Sequence, residues 1–116
     1  MLHTYSDIKR YDLDPVFLFK TAKQVITDLE WMIQQGTETD LVTYVPRVNG
    51  HPSAFFEVTV HPGYMVLSCE TDDFHIGIIE NEMILQRFVK ALDQHIADAP
   101  GDQRKSIKET YNLSFR

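Results

Sequence analysis

The sequence predicts an α+β fold: an N-terminal helix and a C-terminal helix or helices packed on one face of a four-stranded antiparallel β-meander. Three observations lead to this prediction. A helical apolar stripe lies in the first third, four β-rich runs separated by short turn signals lie between residues 41 and 79, and a second helical stripe follows. Short turns favour antiparallel neighbours. The 116 residues, 43% of them hydrophobic, suit one globular domain, 1–116.

The first predicted helix begins at Pro15 and ends at Gly36. Asp14 can accept hydrogen bonds from free amides of the first turn, and proline suits the first helical position. Apolar residues continue at helical spacing from Leu18 to Ile33. Gly36 would supply the left-handed conformation in which many helices end.

The four predicted strands cover residues 41–48, 53–61, 64–71 and 74–79. Asn49-Gly50, Pro62-Gly63 and Asp72-Asp73 are turn pairs between them. Because side chains alternate along a strand, one set would form the core face of the sheet. These residues are Phe56, Val58, Val60, Met65, Leu67, Cys69, Phe74, Ile76 and Ile78.

A second helix is predicted over residues 81–97, with Asn81 as its cap, and it would end before Pro100. Residues 103–111 favour a short third helix, but the last residues alternate and could form a strand instead. Residues 1–13 show no clear period, and we expect a short helical turn or a docked arm there.

Composition excludes several function classes. The net charge of −6 argues against direct nucleic-acid binding and against adhesion to anionic membranes. No apolar run is long enough for a signal peptide or a membrane span, and a single cysteine, Cys69, permits no internal disulfide. We therefore expect a cytoplasmic protein.

No candidate catalytic or metal-binding group has the spacing that such chemistry needs. Cys69 falls on the predicted core face, where a thiol is inert. The histidines of the meander have no ligand spacing on one element, and the paired acids are typical of a turn and of a helix start. The sequence thus predicts no enzyme, no catalytic residue, no metal and no cofactor; the groups considered are His51, His61, His75, Asp72, Asp73, Glu80 and Glu82.

Charge is unevenly distributed along the chain. Between Val48 and Gln86 there are six acidic residues and no Lys or Arg. Such a stretch can simply solvate the surface, or it can attract a basic partner by electrostatic steering. The predicted partner-binding residues are these acids with two aromatic anchors: Glu57, Glu70, Asp72, Asp73, Glu80, Glu82, Phe55 and Tyr64.

The resulting hypothesis is a non-catalytic module that binds and inhibits a basic, nucleic-acid-handling protein. In size, acidity and lack of catalytic residues the chain is comparable to small inhibitory or immunity proteins of bacteria and phages. Two alternatives stay open. One is a small enzyme or ligand-binding domain with a pocket between sheet and helices, and the other is a structural adaptor that forms a homodimer through Trp31, Phe17 and Phe19 or through a sheet edge.

Overall fold

The structure is a computed structural model that describes residues 3–46, 54–71 and 77–99. Its elements are β1 (His3–Arg10), α1 (Pro15–Asp28), β2 (Met32–Gly36), β3 (Asp40–Val45), β4 (Ala54–His61), β5 (Tyr64–Thr71) and α2 (Gly77–Asp98). The strands form one antiparallel sheet in the order β1-β5-β4-β3-β2, so β4 is the middle strand. Both helices contact this sheet. The α+β class and the antiparallel sheet are therefore confirmed.

The first strand corrects the expectation of a helical turn or an arm at the N-terminus. β1 pairs with β5 in one regular register, from His3 opposite Thr71 to Arg10 opposite Tyr64. Tyr5 packs against the core, whereas Ile8 is exposed. Because apolar residues of β1 fall on both faces, the strand shows neither a helical nor an alternating apolar pattern.

The first helix begins as predicted and ends earlier than predicted. A carboxylate oxygen of Asp14 accepts the Val16 N–H at 3.4 Å, and Pro15 is the first helical residue. The helix ends at Asp28 because Glu30 adopts a φ of 63°. The Trp31 N–H then donates back to the Ile26 carbonyl at 3.1 Å, which completes a Schellman cap.

Residues 32–36, predicted as the last turn of that helix, form β2 instead. A glutamate in the left-handed region is uncommon, so nothing in the sequence marks Glu30 as the stop. Met32 and Ile33 continue the helical spacing by coincidence. Gly36 ends a strand, not a helix.

Three of the four predicted strands are confirmed, as β3, β4 and β5. The turn at Pro62-Gly63 is confirmed as well, with Gly63 at a φ of 92°. The prediction of a fourth strand is wrong for residues 77–79, which belong to the first turn of α2. The meander consists of β2 to β5, because β2 takes the place of that strand. The turn at Asn49-Gly50 and residues 74–76 lie outside the described residues.

The second helix is confirmed and starts earlier than predicted. Asn81 is buried within α2 and is not its cap. Neither described helix is long and apolar enough to cross a membrane. The predicted helix over 103–111 lies outside the described residues.

The core lies between the sheet and the two helices, around Phe56 on the middle strand. The Phe56 ring meets Trp31 edge to face, with centroids 5.5 Å apart, and meets Phe88 of α2 at 4.8 Å. The predicted core residues of β4 and β5 are buried: Phe56, Val58, Val60, Met65, Leu67 and Cys69. Of the other predicted core residues, Phe74 and Ile76 lie outside the described residues, and Ile78 is part of α2.

Two polar contacts join α2 to the end of β1 and to the end of α1. The Tyr11 hydroxyl, just after β1, donates to the Asp93 carboxylate of α2 at 2.9 Å. Burial, together with this hydrogen bond, raises the pKa of Tyr11. His95 of α2 lies 3.0 Å from the Asp28 carboxylate at the end of α1. These contacts hold α2 against β1 and against α1.

Neighbouring phenylalanines on β4 provide a direct test of this core. Phe56 is fully buried, whereas 52% of Phe55 is exposed on the opposite face. We expect Phe56→Ala to lower the free energy of unfolding by about 3–5 kcal/mol, because it leaves a cavity between Trp31 and Phe88. The matched variant Phe55→Ala should cost less than about 1 kcal/mol. Urea denaturation followed by circular dichroism measures both, and equal losses would contradict the described register.

The left-handed residue at the end of α1 provides a second test. Glu30→Gly removes the Cβ that opposes a φ of 63°, so we expect it to raise the free energy of unfolding by about 1 kcal/mol. Glu30→Ala is the control, because it keeps the Cβ and should give no gain. Thermal and urea unfolding of the three proteins measure the difference, and a destabilised glycine variant would argue against this helix end.

Candidate functional site

The outer face is the side of the sheet that points away from the helices. Alternation along each strand places one residue in two on this face, and strand pairing aligns these residues in rows. Neither of the two described helices, α1 and α2, covers this face. Its members are Thr4, Ser6, Ile8, Arg10, Met32, Gln35, Asp40, Val42, Tyr44, Phe55, Glu57, Thr59, His61, Tyr64, Val66, Ser68 and Glu70.

An apolar row crosses three strands of the outer face. Met32 of β2 lies opposite Tyr44 of β3, and Tyr44 lies opposite Phe55 of β4. The rings of Tyr44 and Phe55 meet edge to face with centroids 5.7 Å apart. Met32 and Phe55 are 56% and 52% exposed. More than half of each of these two large apolar side chains therefore faces solvent, Phe55 on the middle strand and Met32 on the edge strand β2.

Two predicted acidic residues flank Phe55. Glu70 lies directly opposite it on β5 and accepts a hydrogen bond from the Thr4 hydroxyl at 3.3 Å. Glu57 lies two residues along β4, opposite Ser68, and is exposed at the centre of the sheet. No described side chain forms an ion pair or a hydrogen bond with Glu57. The structure thus brings Phe55, Glu57 and Glu70 together.

The other end of the outer face carries a base that the sequence did not lead us to expect there. Tyr64 is 37% exposed and stacks on His61, with ring centroids 4.6 Å apart and planes at 16°. Arg10 of β1 lies opposite Tyr64. Arg10 was not among the residues predicted for this surface, because the sequence did not predict β1. Tyr64 lies next to a positive charge, while Phe55 lies between negative ones.

The remaining predicted site residues are not part of the described outer face. Glu82 lies on α2, in the helix layer, and accepts a hydrogen bond from Gln86 at 3.3 Å. It is therefore on the other side of the sheet from Glu57. Asp72, Asp73 and the side chain of Glu80 lie outside the described residues.

Sequence reasoning missed Ile8, Met32 and Tyr44 as members of the outer face. The signal for Tyr44 was available, since Leu41, Thr43 and Val45 alternate with it and are buried. Met32 could not be found, because its helical spacing suggested a continuation of α1. Ile8 required the pairing of β1 with β5, which is a long-range contact.

Cys69 lies on the inner face, where it is completely buried among apolar side chains. Burial is the main cause that raises the pKa of this thiol to about 12. At neutral pH the group is a protonated thiol without access to solvent, and this environment does not support nucleophilic chemistry.

The histidines and acids do not converge in the described part of the chain. No group of three His, Cys, Asp or Glu side chains within 3–46, 54–71 and 77–99 could hold a metal ion. His61 is stacked on Tyr64 in the outer face. His51 and His75 lie outside the described residues.

An open cavity of about 620 Å³ lies at one end of the helix layer. It separates the first turns of α1 from the turns that follow β2 and β4. Its walls are mainly apolar, with Lys20 and Glu38 as the charged residues; the apolar lining includes Pro15, Val16, Phe19, Val60 and Pro62. This cavity is one described space in which the ligand-binding alternative could operate; an open groove of about 530 Å³ between β1 and α2 is another.

Comparison with known proteins adds information about the fold. The crystal structure of Ara h 8.0201 is similar, with a TM-score of 0.50 and 9% sequence identity over 85% of this chain and 100% of that chain. At this identity the likeness concerns the fold alone. No model of a protein family matches the sequence. A search of curated proteins gives no match either.

The environment of Cys69 leads to a prediction about its reactivity. A pKa of about 12 leaves on the order of one thiolate in ten thousand near pH 8, compared with a substantial fraction in an unfolded chain. We expect iodoacetamide to modify the native protein very slowly and the urea-unfolded protein rapidly. The native rate should keep rising above pH 9, whereas the unfolded rate levels off. Mass spectrometry measures both, and fast native modification would contradict a buried thiol.

Proposed function

We propose that this protein is a non-catalytic binding module whose outer face contacts a basic protein partner. The observation that supports the proposal most directly is an exposed Phe55 flanked by Glu57 and Glu70 on an open five-stranded sheet. Exposed apolar side chains grouped on one face are typical of a contact surface. Acidic residues beside them favour a partner that carries positive charge.

The apolar row would supply most of the binding energy. Aromatic residues at the centre of an interface often cost about 2 kcal/mol or more when truncated, because they fill pockets from which water is excluded. Phe55 occupies that central position on β4, and Tyr44 supports its ring from the side. Met32 adds a flexible apolar side chain that adapts to the partner's shape.

The acids would orient the partner and speed its association. The described outer face carries three acidic residues, Asp40, Glu57 and Glu70, and one base, Arg10. Thr59 donates a hydrogen bond to Asp40 and Thr4 donates one to Glu70, whereas no described residue engages Glu57. Glu57 is therefore the acid best placed to accept a Lys or Arg of the partner.

A basic partner suggests a class of target. Proteins that handle nucleic acids present Lys and Arg to neutralise phosphates, and an acidic face can occupy the same residues. The proposal is therefore that the module inhibits or neutralises such a protein in the cytoplasm, in the manner of an immunity protein or a phage-encoded inhibitor. In this proposal the module itself performs no reaction.

The second candidate is a ligand-binding domain. The space between the middle of the sheet and the helices is filled by Trp31, Phe56 and Phe88, so a ligand cannot bind there. The open cavity beside Phe19 and Val60 would hold a small apolar molecule. Its mainly apolar lining is the observation that favours this candidate.

Charge reversal on the two sides of the sheet distinguishes a specific docking surface from an effect of the net negative charge of the whole protein. Glu57 and Glu82 are both exposed, and reversal of either to lysine changes the net charge equally. The immobilised protein would be used to capture partners from lysate of the source cells. We expect a basic protein whose capture falls at least about tenfold with Glu57→Lys and with Phe55→Ala, and which is unaffected by Glu82→Lys.

Salt supplies the second measurement. Because salt screens the attraction between the exposed acids and a basic partner, capture should weaken as the salt concentration rises. Two outcomes would contradict the proposed surface. In one, the partner is captured undiminished by the Glu57→Lys and Phe55→Ala variants. In the other, Glu82→Lys reduces capture as much as Glu57→Lys does. Circular dichroism of each variant confirms that a loss of capture is not a loss of fold.

A further inference from the structure

One long edge of the sheet carries no partner among the described residues. β1 is paired with β5 on one side only, over eight residues in a continuous register. The opposite edge, β2, has five residues and a register irregularity between Ile33 and Gln35, features that discourage strand addition. β1 is therefore the edge that can accept another strand.

The pairing pattern shows which backbone groups β1 presents. The Tyr11 N–H donates to the Gly63 carbonyl toward β5, so the odd-numbered residues of β1 bond to β5 and the even-numbered ones point outward. The Ile8 N–H agrees with this, because it donates to the Asp7 side chain at 2.8 Å. Ile8 is also 59% exposed. The outward groups belong to Thr4, Ser6, Ile8 and Arg10.

Among the registers centred on Asp7, Ile8 or Lys9, the charges of β1 favour one for pairing with a second copy. In a sheet joined around a two-fold axis, residues that lie opposite each other must share a face. The axis therefore lies midway between the two copies of one residue, which is the centre of the register. An axis at Asp7 would oppose two aspartates, and an axis at Lys9 would oppose two lysines. An axis at Ile8 places Asp7 opposite the second copy's Lys9, and Lys9 opposite its Asp7.

We propose that two copies of this chain form a homodimer by antiparallel pairing of their β1 strands, centred on Ile8. The outward groups at Ser6, Ile8 and Arg10 would form about six backbone hydrogen bonds with the second copy, and the Ile8 N–H would exchange its Asp7 acceptor for the Ile8 carbonyl of that copy. Two Asp7–Lys9 pairs would form across the joint. Within one chain these side chains already lie 3.6 Å apart, so the cluster alternates in sign.

The outer side of the joint is apolar. Ile8 lies opposite Val66 of β5, and in the dimer the two Ile8 side chains would meet. A continuous strip from Val66 through both Ile8 side chains to the second Val66 would result. On the inner side, an open groove of about 530 Å³ between β1 and α2 leaves room for the charged cluster. The joined sheet would place two outer faces side by side, and this inference does not depend on what they bind.

Single charge reversals at Asp7 and Lys9, and the variant that exchanges both residues, test the register centred on Ile8. Sedimentation of the full chain over the micromolar range should show a mass of twice 13.5 kDa. Asp7→Lys and Lys9→Asp should each weaken the dimer about tenfold to a hundredfold, because two attractive pairs become repulsive. The swap of both residues should restore it. Lys23→Asp, on the exposed side of α1, is the control and should leave the dimer intact.

Cysteine cross-linking gives a readout that does not rely on affinity. In the proposed register the two Ile8 Cα atoms are about 5.5 Å apart, within reach of a disulfide, whereas the two Thr4 Cα atoms are about 27 Å apart. Oxidation should therefore link Ile8→Cys and not Thr4→Cys. A wild-type chain that stays monomeric, reversals without effect, or efficient linking of Ser6→Cys in place of Ile8→Cys would overturn the proposal.

Discussion

The packing of Phe56 between Trp31 and Phe88 is the interaction on which the rest of this structure depends. It joins the middle strand to the segment after α1 and to α2 in one aromatic cluster. Trp31 reaches this position only because α1 stops at Asp28 and Glu30 turns the chain back. Buried side chains of β3, β4 and β5 then fill the middle of the inner face. Both helices therefore pack on one side of the sheet, and neither covers the other side.

The same strand determines what the open side presents. Phe55 and Phe56 are neighbours, so the alternation that buries one exposes the other. A shift of β4 by one residue would bury Glu57 and expose Val58, at a cost that the core could not offset. The position of Phe55 and Glu57 at the centre of the outer face is therefore fixed by the core packing behind them. A surface held in this way would be preorganised, which would lower the entropic cost of the proposed binding.

Local signals carried most of the fold prediction. The cap at Asp14, the turn at Gly63 and the alternation of β4 and β5 are all encoded within a few residues, and each is confirmed. The errors have different physical origins. Glu30 ends a helix in a conformation for which glycine is the usual residue, so the sequence predicts a helical turn where the structure has β2. β1 is defined by pairing with residues some sixty positions away, and its own pattern is mixed because both of its faces carry apolar and polar residues.

These two errors also limited the prediction of the candidate site. Phe55, Glu57 and Glu70 could be assigned to one face because they belong to strands with clear alternation. Met32 joined them only through β2, and Arg10 only through β1. Continuity along the chain suggested that Glu82 extended the same acidic surface. The sheet separates it from Glu57, because α2 packs on the inner face.

The charges of the two proposed contact surfaces direct them to different partners. The outer face has an excess of acids, so two copies placed face to face would repel each other across Glu57 and Glu70. The β1 edge has one Asp7 and one Lys9 on the same face, so it is complementary in charge to a second copy in the proposed register. In the joined sheet each Arg10 would lie opposite Ser6 of the second copy, while each Glu57 lies on β4, the third strand from the joint. The base would thus be engaged by the dimer itself, and the acids would remain available to a partner of opposite charge.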